Sequence, residues 1–453
     1  MLIDHKKTFS QKKFFILISL LIVTILIDTS VVKINDLIDK YFIPMQSKMI
    51  LFAVNSSLCL ILQFLMIKYL QISSKRDRLT KTLKIQSFYK ILLISLCVLG
   101  TFIGFLNFQL FYNNYYNTSI NIFIITICYG TAAVFIIRLS LLFFSWYKSN
   151  YNLIIFLYFI STLMIAFNLI MTATYTSAKV SELPATTGEY VGSSGFFASG
   201  KYSLLENAYR ISSFMSFFSI WITTAILMNY YREKLTNAIV YWILLSIPLL
   251  YFLITYFYQF IFGNLLISYV GIDPVTISII LGAFLSLNKP IGGLVFGAAF
   301  WKISKIVSYE RNIRTYMIIS GWGIFLIFAA NQAITQVVAG IYPPFGLVSN
   351  TVLITGGFLM LLGIYNSAKL VSVNDNLRKS IYKHFAEPRL LGLIGQAEMN
   401  KEIEGIVKEI NQRKGSLERD TNIPIALDEK ALKKYIEFVI RETKKGSNTK
   451  EES

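Results

Sequence analysis

Residues 152–175 read NLIIFLYFISTLMIAFNLIMTATY, a run of 24 residues with no Asp, Glu, Lys, Arg or His. Wound as an α-helix, such a run is roughly 36 Å long, enough to cross a hydrocarbon core of about 30 Å. A helix on the surface of a soluble protein keeps a charged face, and this segment has none. It reads as a transmembrane helix.

Working outward from it, similar apolar runs recur near 14–32, 49–70, 91–112, 119–143, 207–230, 239–262, 274–300, 315–338 and 347–370. The expected fold is therefore all-α: a polytopic transmembrane helix bundle of about ten spans over residues 1–371, followed by a short helical cytosolic tail over 372–453. Composition agrees. The chain is 55% hydrophobic and only 15% charged, with mean hydropathy +0.56, against about 25% charged residues in an ordinary soluble domain. The first span is the most interrupted. Its apolar core, Phe14 to Ile27, follows Lys6, Lys7, Lys12 and Lys13 and ends at Asp28. With no small-x-small cleavage site after it, it reads as an uncleaved signal-anchor helix.

The formal charge is +18, and the excess belongs to the membrane part: 27 Lys and Arg against 11 Asp and Glu up to Val371, then 16 against 14 in the tail. The basic residues occupy short loops, where topology and anionic lipid account for them better than nucleic acid does. Lys68, Lys75, Arg76, Arg78, Lys81, Lys84 and Lys90 form one cluster; Lys302, Lys305, Arg311 and Arg314 form another. The alternate loops 113–118, 263–272 and 339–346 hold no Lys or Arg. The positive-inside rule then puts both termini in the cytosol. The long outer loop 176–206, rich in Ser, Thr and Gly, suits a β-hairpin or a mobile cap, and Asn117-Thr118-Ser119 is a glycosylation sequon on the same face.

Several classes of chemistry are disfavoured. Cys59, Cys97 and Cys128 each lie inside an apolar stretch without metal-ligand spacing, and the two histidines, His5 and His384, are far apart. No phosphate loop, cofactor motif or catalytic constellation is visible, so neither an enzyme nor a cofactor is expected. The eleven acids before the tail read as loop or span-end residues, which weighs against a proton- or sodium-coupled carrier.

Two polar clusters inside spans stand out. Lys289 lies in Leu287-Asn288-Lys289-Pro290, where Pro290 should kink or break the helix. A discontinuous helix offering an ammonium to an anion, and a kinked packing helix whose lysine snorkels, are both compatible with it. Asn331, Gln332 and Gln336 sit in the ninth span, with Asn331 and Thr335, and Gln332 and Gln336, sharing faces. Interhelical hydrogen bonding and a polar solute path both suit them. Asn107, Gln109 and Asn366 read the same way, and Arg138 reads as a snorkelling residue.

In the tail, Pro388 opens a helix expected to reach Arg413, and Asp428 caps a second. Leu432, Tyr435, Ile436, Val439 and Ile440 repeat at helical spacing and make an apolar stripe for a protein partner or for self-association.

Four stretches carry a family resemblance. They are Gly292 to Trp301; Tyr342-Pro343-Pro344-Phe345-Gly346 with Leu362-Gly363-Ile364-Tyr365; Leu390-Leu391-Gly392 to Met399; and Asp428 to Ile440. Over roughly the last 180 residues the chain resembles uncharacterised multi-pass membrane proteins of ammonia-oxidising archaea. The resemblance implies an archaeal plasma membrane and carries no functional residues. In layout alone the chain is similar to seven-helix membrane sensor modules that feed a cytosolic effector. The expected function is a non-enzymatic membrane sensor or scaffold whose tail binds a partner. The alternative is a channel or carrier for a small anion or polar solute centred on Lys289.

Overall fold

The computed structural model describes residues 11–38, 44–76, 83–187, 203–232, 238–261, 287–306, 311–333, 337, 342–373 and 390–421. Their secondary structure is almost entirely helical: α1 (Gln11–Ile38), α2 (Met45–Arg76), α3 (Leu83–Asn113), α4 (Thr118–Ser149), α5 (Leu153–Val180), α6 (Ser203–Arg232), α7 (Ala238–Ile261), α8 (Asn288–Ile306), α9 (Arg311–Gln332), α10 (Leu347–Val373) and α11 (Leu390–Thr421). Among the described residues seven helices are long and apolar enough to cross a membrane: α2, α3, α4, α5, α6, α9 and α10.

The other three expected spans fall on α1, α7 and α8. Lys12, Lys13 and Asp28 interrupt α1, the apolar stretch of α7 is described from Ile239 to Ile254, and residues 262–286 lie outside the described part. The protein is thus a membrane protein with an all-helical bundle.

The bundle is organised around α10. Every residue from Leu347 to Ile364 is buried, so this helix is enclosed on all sides. It packs most extensively on α9 and α4, and also touches α1, α2 and α3. Small residues set these approaches. A Cβ on Gly323 of α9 would lie 2.5 Å from the Met360 backbone nitrogen of α10. A Cβ on Gly363 would lie 2.5 Å from the Tyr316 carbonyl oxygen. Glycine at such contacts lets two backbones meet, the usual way helices associate where lipid removes the hydrophobic drive. Gly346, with φ 88°, takes the left-handed conformation that turns the chain into α10.

Among the described residues of the loop after α5, Thr186 and Thr187 form a strand. Thr186–Thr187 pairs antiparallel with Tyr116–Asn117, the short strand before α4. The loop therefore ties down to its neighbouring loop rather than closing a hairpin on itself through these residues. The expected tail helix is present as α11, beginning at Leu390 and extending past Arg413. The second expected tail helix, with Leu432, Tyr435, Ile436, Val439 and Ile440, lies outside the described residues.

Candidate functional site

Lys289 sits in the first turn of α8 and is 6% exposed. Leu287 accepts from the Ile291 amide at 2.9 Å, so Pro290 occupies the first turn, where its missing N–H leaves no helical bond unmade. Within the described residues the break expected at Pro290 is thus the beginning of a helix. Asn288 is buried beside it, its Oδ1 2.5 Å from the Lys289 backbone nitrogen.

The ammonium of Lys289 donates to Tyr209 Oη of α6 at 3.3 Å and lies 5.6 Å from the same ring's centroid. Tyr209 stacks on Tyr175 of α5, centroids 5.0 Å apart. Among the described residues no carboxylate pairs with Lys289. Glu206, one turn before Tyr209, instead holds Arg210 at 2.5 Å.

Asn331 heads a second chain of bonds. Its Oδ1 accepts from Tyr129 Oη of α4 at 3.1 Å, and its Nδ2 donates to Asn168 Oδ1 of α5 at 3.2 Å. Asn168 Nδ2 donates to Ser212 Oγ of α6 at 3.1 Å, and Ser212 donates to the Tyr209 carbonyl at 2.9 Å. The two clusters singled out from sequence therefore converge on one turn of α6, through Tyr209 and Ser212. Asn331, Asn168, Tyr129 and Ser212 are all buried, so each bond replaces hydration that the interior cannot supply. Gln332 is partly buried at the end of α9, and Gln336 lies outside the described residues.

Asn107 bonds Ser56 Oγ at 3.1 Å, as an interhelical role requires, and Gln109 accepts from the Asn117 amide at 3.2 Å. Asn366 departs from that expectation. It is fully buried in α10, and among the described residues neither atom of its amide has a hydrogen-bond partner. Asn117, the sequon residue, is the N-cap of α4 and accepts from the Ser119 amide at 2.9 Å.

A third polar layer escaped sequence reasoning. Asp28 reads as the residue that ends an apolar run, yet it lies within α1 and is fully buried. One oxygen accepts from the Ser349 amide at 2.8 Å and from the Ser349 hydroxyl at 2.7 Å. The start of α10 supplies unpaired N–H groups and the positive end of a helix dipole, which lets a carboxylate sit there. Hydropathy along one segment cannot reveal a partner 321 residues away. The argument that no acid lies inside the bundle is corrected accordingly. Nearby, Gln63 of α2 donates to Thr351 at 2.8 Å and accepts from Thr355 at 2.7 Å, both on α10.

The far ends of α4 and α10 hold α11. Trp146 Nε1 donates to Glu398 Oε2 at 2.7 Å, and Lys369 pairs with Glu402. Asn400 Nδ2 donates to the Ser149 carbonyl at 3.2 Å. Leu390, Leu391, Ile394 and Ala397 are buried. A Cβ on Gly395 would come within 2.3 Å of Val371 Cγ1, so the helix is seated closely on the end of α10.

Among the described residues no group of three or more His, Cys, Asp or Glu is placed to hold a metal ion. In comparisons with known proteins, no family model, no curated protein and no solved structure matches this chain.

Proposed function

We propose that the protein is a non-enzymatic membrane sensor or scaffold of an archaeal plasma membrane, with ten spans, both termini in the cytosol and a tail that engages a cytosolic partner. The observation that carries the reading is the seating of α11 on α4 and α10 through Trp146–Glu398 and Lys369–Glu402. A charge-assisted bond to the buried Glu398 carboxylate couples the first tail helix to α4, and the Lys369–Glu402 ion pair couples it to α10, the core helix of the bundle. A change in how α4 and α10 pack is then felt directly by α11. The chain beyond it, with Leu432, Tyr435, Ile436, Val439 and Ile440, supplies the partner-binding face.

A second reading is favoured by a separate observation, the burial of Lys289 against Tyr209 with, among the described residues, no carboxylate paired to it. A buried cation with unused donors suits a small anion, and the adjoining Asn331 chain suits a polar path.

The test compares the full chain with a chain ending at Val373, both reconstituted in proteoliposomes. Under the sensor or scaffold reading neither conducts chloride or phosphate above empty vesicles, and a partner crosslinked to the full chain in native membranes is lost from the shortened one. Anion flux by both chains that Lys289→Met abolishes would overturn it in favour of the carrier.

A further inference from the structure

One cleft in the bundle opens between α3, α4 and α10. It is a partly open groove lined by Phe88, Arg138, Leu142, Phe358, Leu361, Leu362 and Tyr365. Apart from the Tyr365 hydroxyl, its only polar lining group is the guanidinium of Arg138. Among the described residues Arg138 has neither an ion pair nor a hydrogen-bond partner. It lies about three turns before the end of α4. Counted from the end of the apolar run at 143 it is a little over one turn inside the membrane, where a cation is costly unless it snorkels or something answers its charge.

We propose that this cleft binds an anionic membrane lipid, with an acyl chain against Phe88, Leu142, Phe358 and Leu361 and the phosphate headgroup on Arg138. The chemistry of the walls selects the occupant. A free anion would gain the guanidinium but would leave the aromatic and leucine walls uncovered. A neutral lipid would cover the walls and leave the charge unanswered. Only an anionic amphiphile satisfies both, and guanidinium binds phosphate oxygens in a bidentate fork. Simple snorkelling answers the charge but gives no account of an apolar cleft built around it.

The position of the cleft deepens the sensor reading, on which its consequence rests. On α4 the residues Arg138 and Leu142 continue at i, i+4, i+8 to Trp146, which holds Glu398. On α10 Phe358, Leu361, Leu362 and Tyr365 continue one turn on to Lys369, which holds Glu402. Both helical stripes that line the cleft therefore end at the two anchors of α11. An occupant that spreads or draws together α3, α4 and α10 acts on those anchors one turn away.

The experiment uses the full chain in nanodiscs containing phosphatidylglycerol, phosphatidylcholine and a trace of photoactivatable phosphatidylglycerol. Lipid retained after extraction is weighed by native mass spectrometry, and the crosslinked peptides are identified. The expected result is crosslinking to the peptides that carry Leu142 and Leu361, with phosphatidylglycerol retained over phosphatidylcholine. Arg138→Gln should lower that preference about tenfold, the size of one lost charge-assisted contact. Leu361→Trp, which fills the cleft and keeps the charge, should lower retention of both lipids. An Arg138→Gln protein with unchanged preference overturns the proposal, as does crosslinking confined to other helices. Displacement of the bound lipid by millimolar inorganic phosphate overturns it in favour of a free-anion site. Because lipid binding is measured directly, its failure leaves the partner test of the sensor reading untouched. Protection of α11 from trypsin, compared with and without phosphatidylglycerol, then reads the coupling by itself.

Discussion

Trp146 and Glu398 are 252 residues apart in sequence and joined by a 2.7 Å hydrogen bond, with both side chains buried. The bond fixes α11 to the end of α4 at a point where no water replaces it. Trp146→Phe keeps the aromatic packing against Phe143, whose ring centroid is 5.3 Å away, and removes only the donor. A bond to a charged group contributes about 1.5–3 kcal/mol. Trypsin should then cut at Lys401, Lys408 and Arg413 about ten times faster or more, as α11 opens more often. Equal cleavage rates in the two proteins would mean that other contacts hold the helix.

Asp28 and Ser349 give a second test. Asp28→Asn keeps an acceptor for the Ser349 amide and hydroxyl, whereas Asp28→Leu leaves both donors unanswered in the interior. The Leu variant should lose about 1–3 kcal/mol relative to the Asn variant in thermal unfolding in detergent. Matching midpoints for the two would show that the start of α10 finds other acceptors.

The close approach of α9 and α10 predicts opposite outcomes for two alanines. At Gly323 the added methyl meets backbone rather than a flexible side chain, so the helices must part, at about 1–3 kcal/mol. At Gly405 on α11 a Cβ meets nothing within 4 Å. There alanine should stabilise the helix by about 0.5–1 kcal/mol. Circular-dichroism melts of the two variants beside the wild type decide both signs.

The Asn168–Asn331 bond is suited to a double-mutant cycle. Replacing each by Ala, singly and together, should give a coupling of about 0.6–1.7 kcal/mol, the range for side-chain bonds between membrane helices. A coupling of zero would separate the Tyr129–Asn331 end of the chain from the Asn168–Ser212 end.

Apolar runs announce most of the helices because lipid and packed helices impose the same composition over twenty or so residues. Residues 152–175 illustrate it: the run becomes α5, which continues to Val180, with the hydroxyls of Thr172 and Thr176 satisfied on carbonyls one turn back. Lys289 and Asn331 are visible in sequence because a polar group inside an apolar run is conspicuous by itself. Asp28 is conspicuous too, but its meaning depends on Ser349, and a one-dimensional reading assigns an acid beside an apolar run to the end of that run. Trp146 and Lys369 resemble ordinary interfacial residues until α11 is seen to cover them. The Arg138 cleft needs three helices to exist at all.

The placement of α10 has a consequence for how the protein is made. The helix at the centre of the packing is synthesised after α1, α2, α3, α4 and α9, which pack against it, and its seat cannot be filled until residue 373 has left the ribosome. Until then α1, α2, α3, α4 and α9 face an empty centre, with Gln63, Asp28 and Tyr316 turned toward a neighbour not yet present. Nascent chains stopped before Leu347 should therefore be degraded far faster than those stopped after Val373. In the cell this puts quality control at one late moment of synthesis rather than at each insertion in turn.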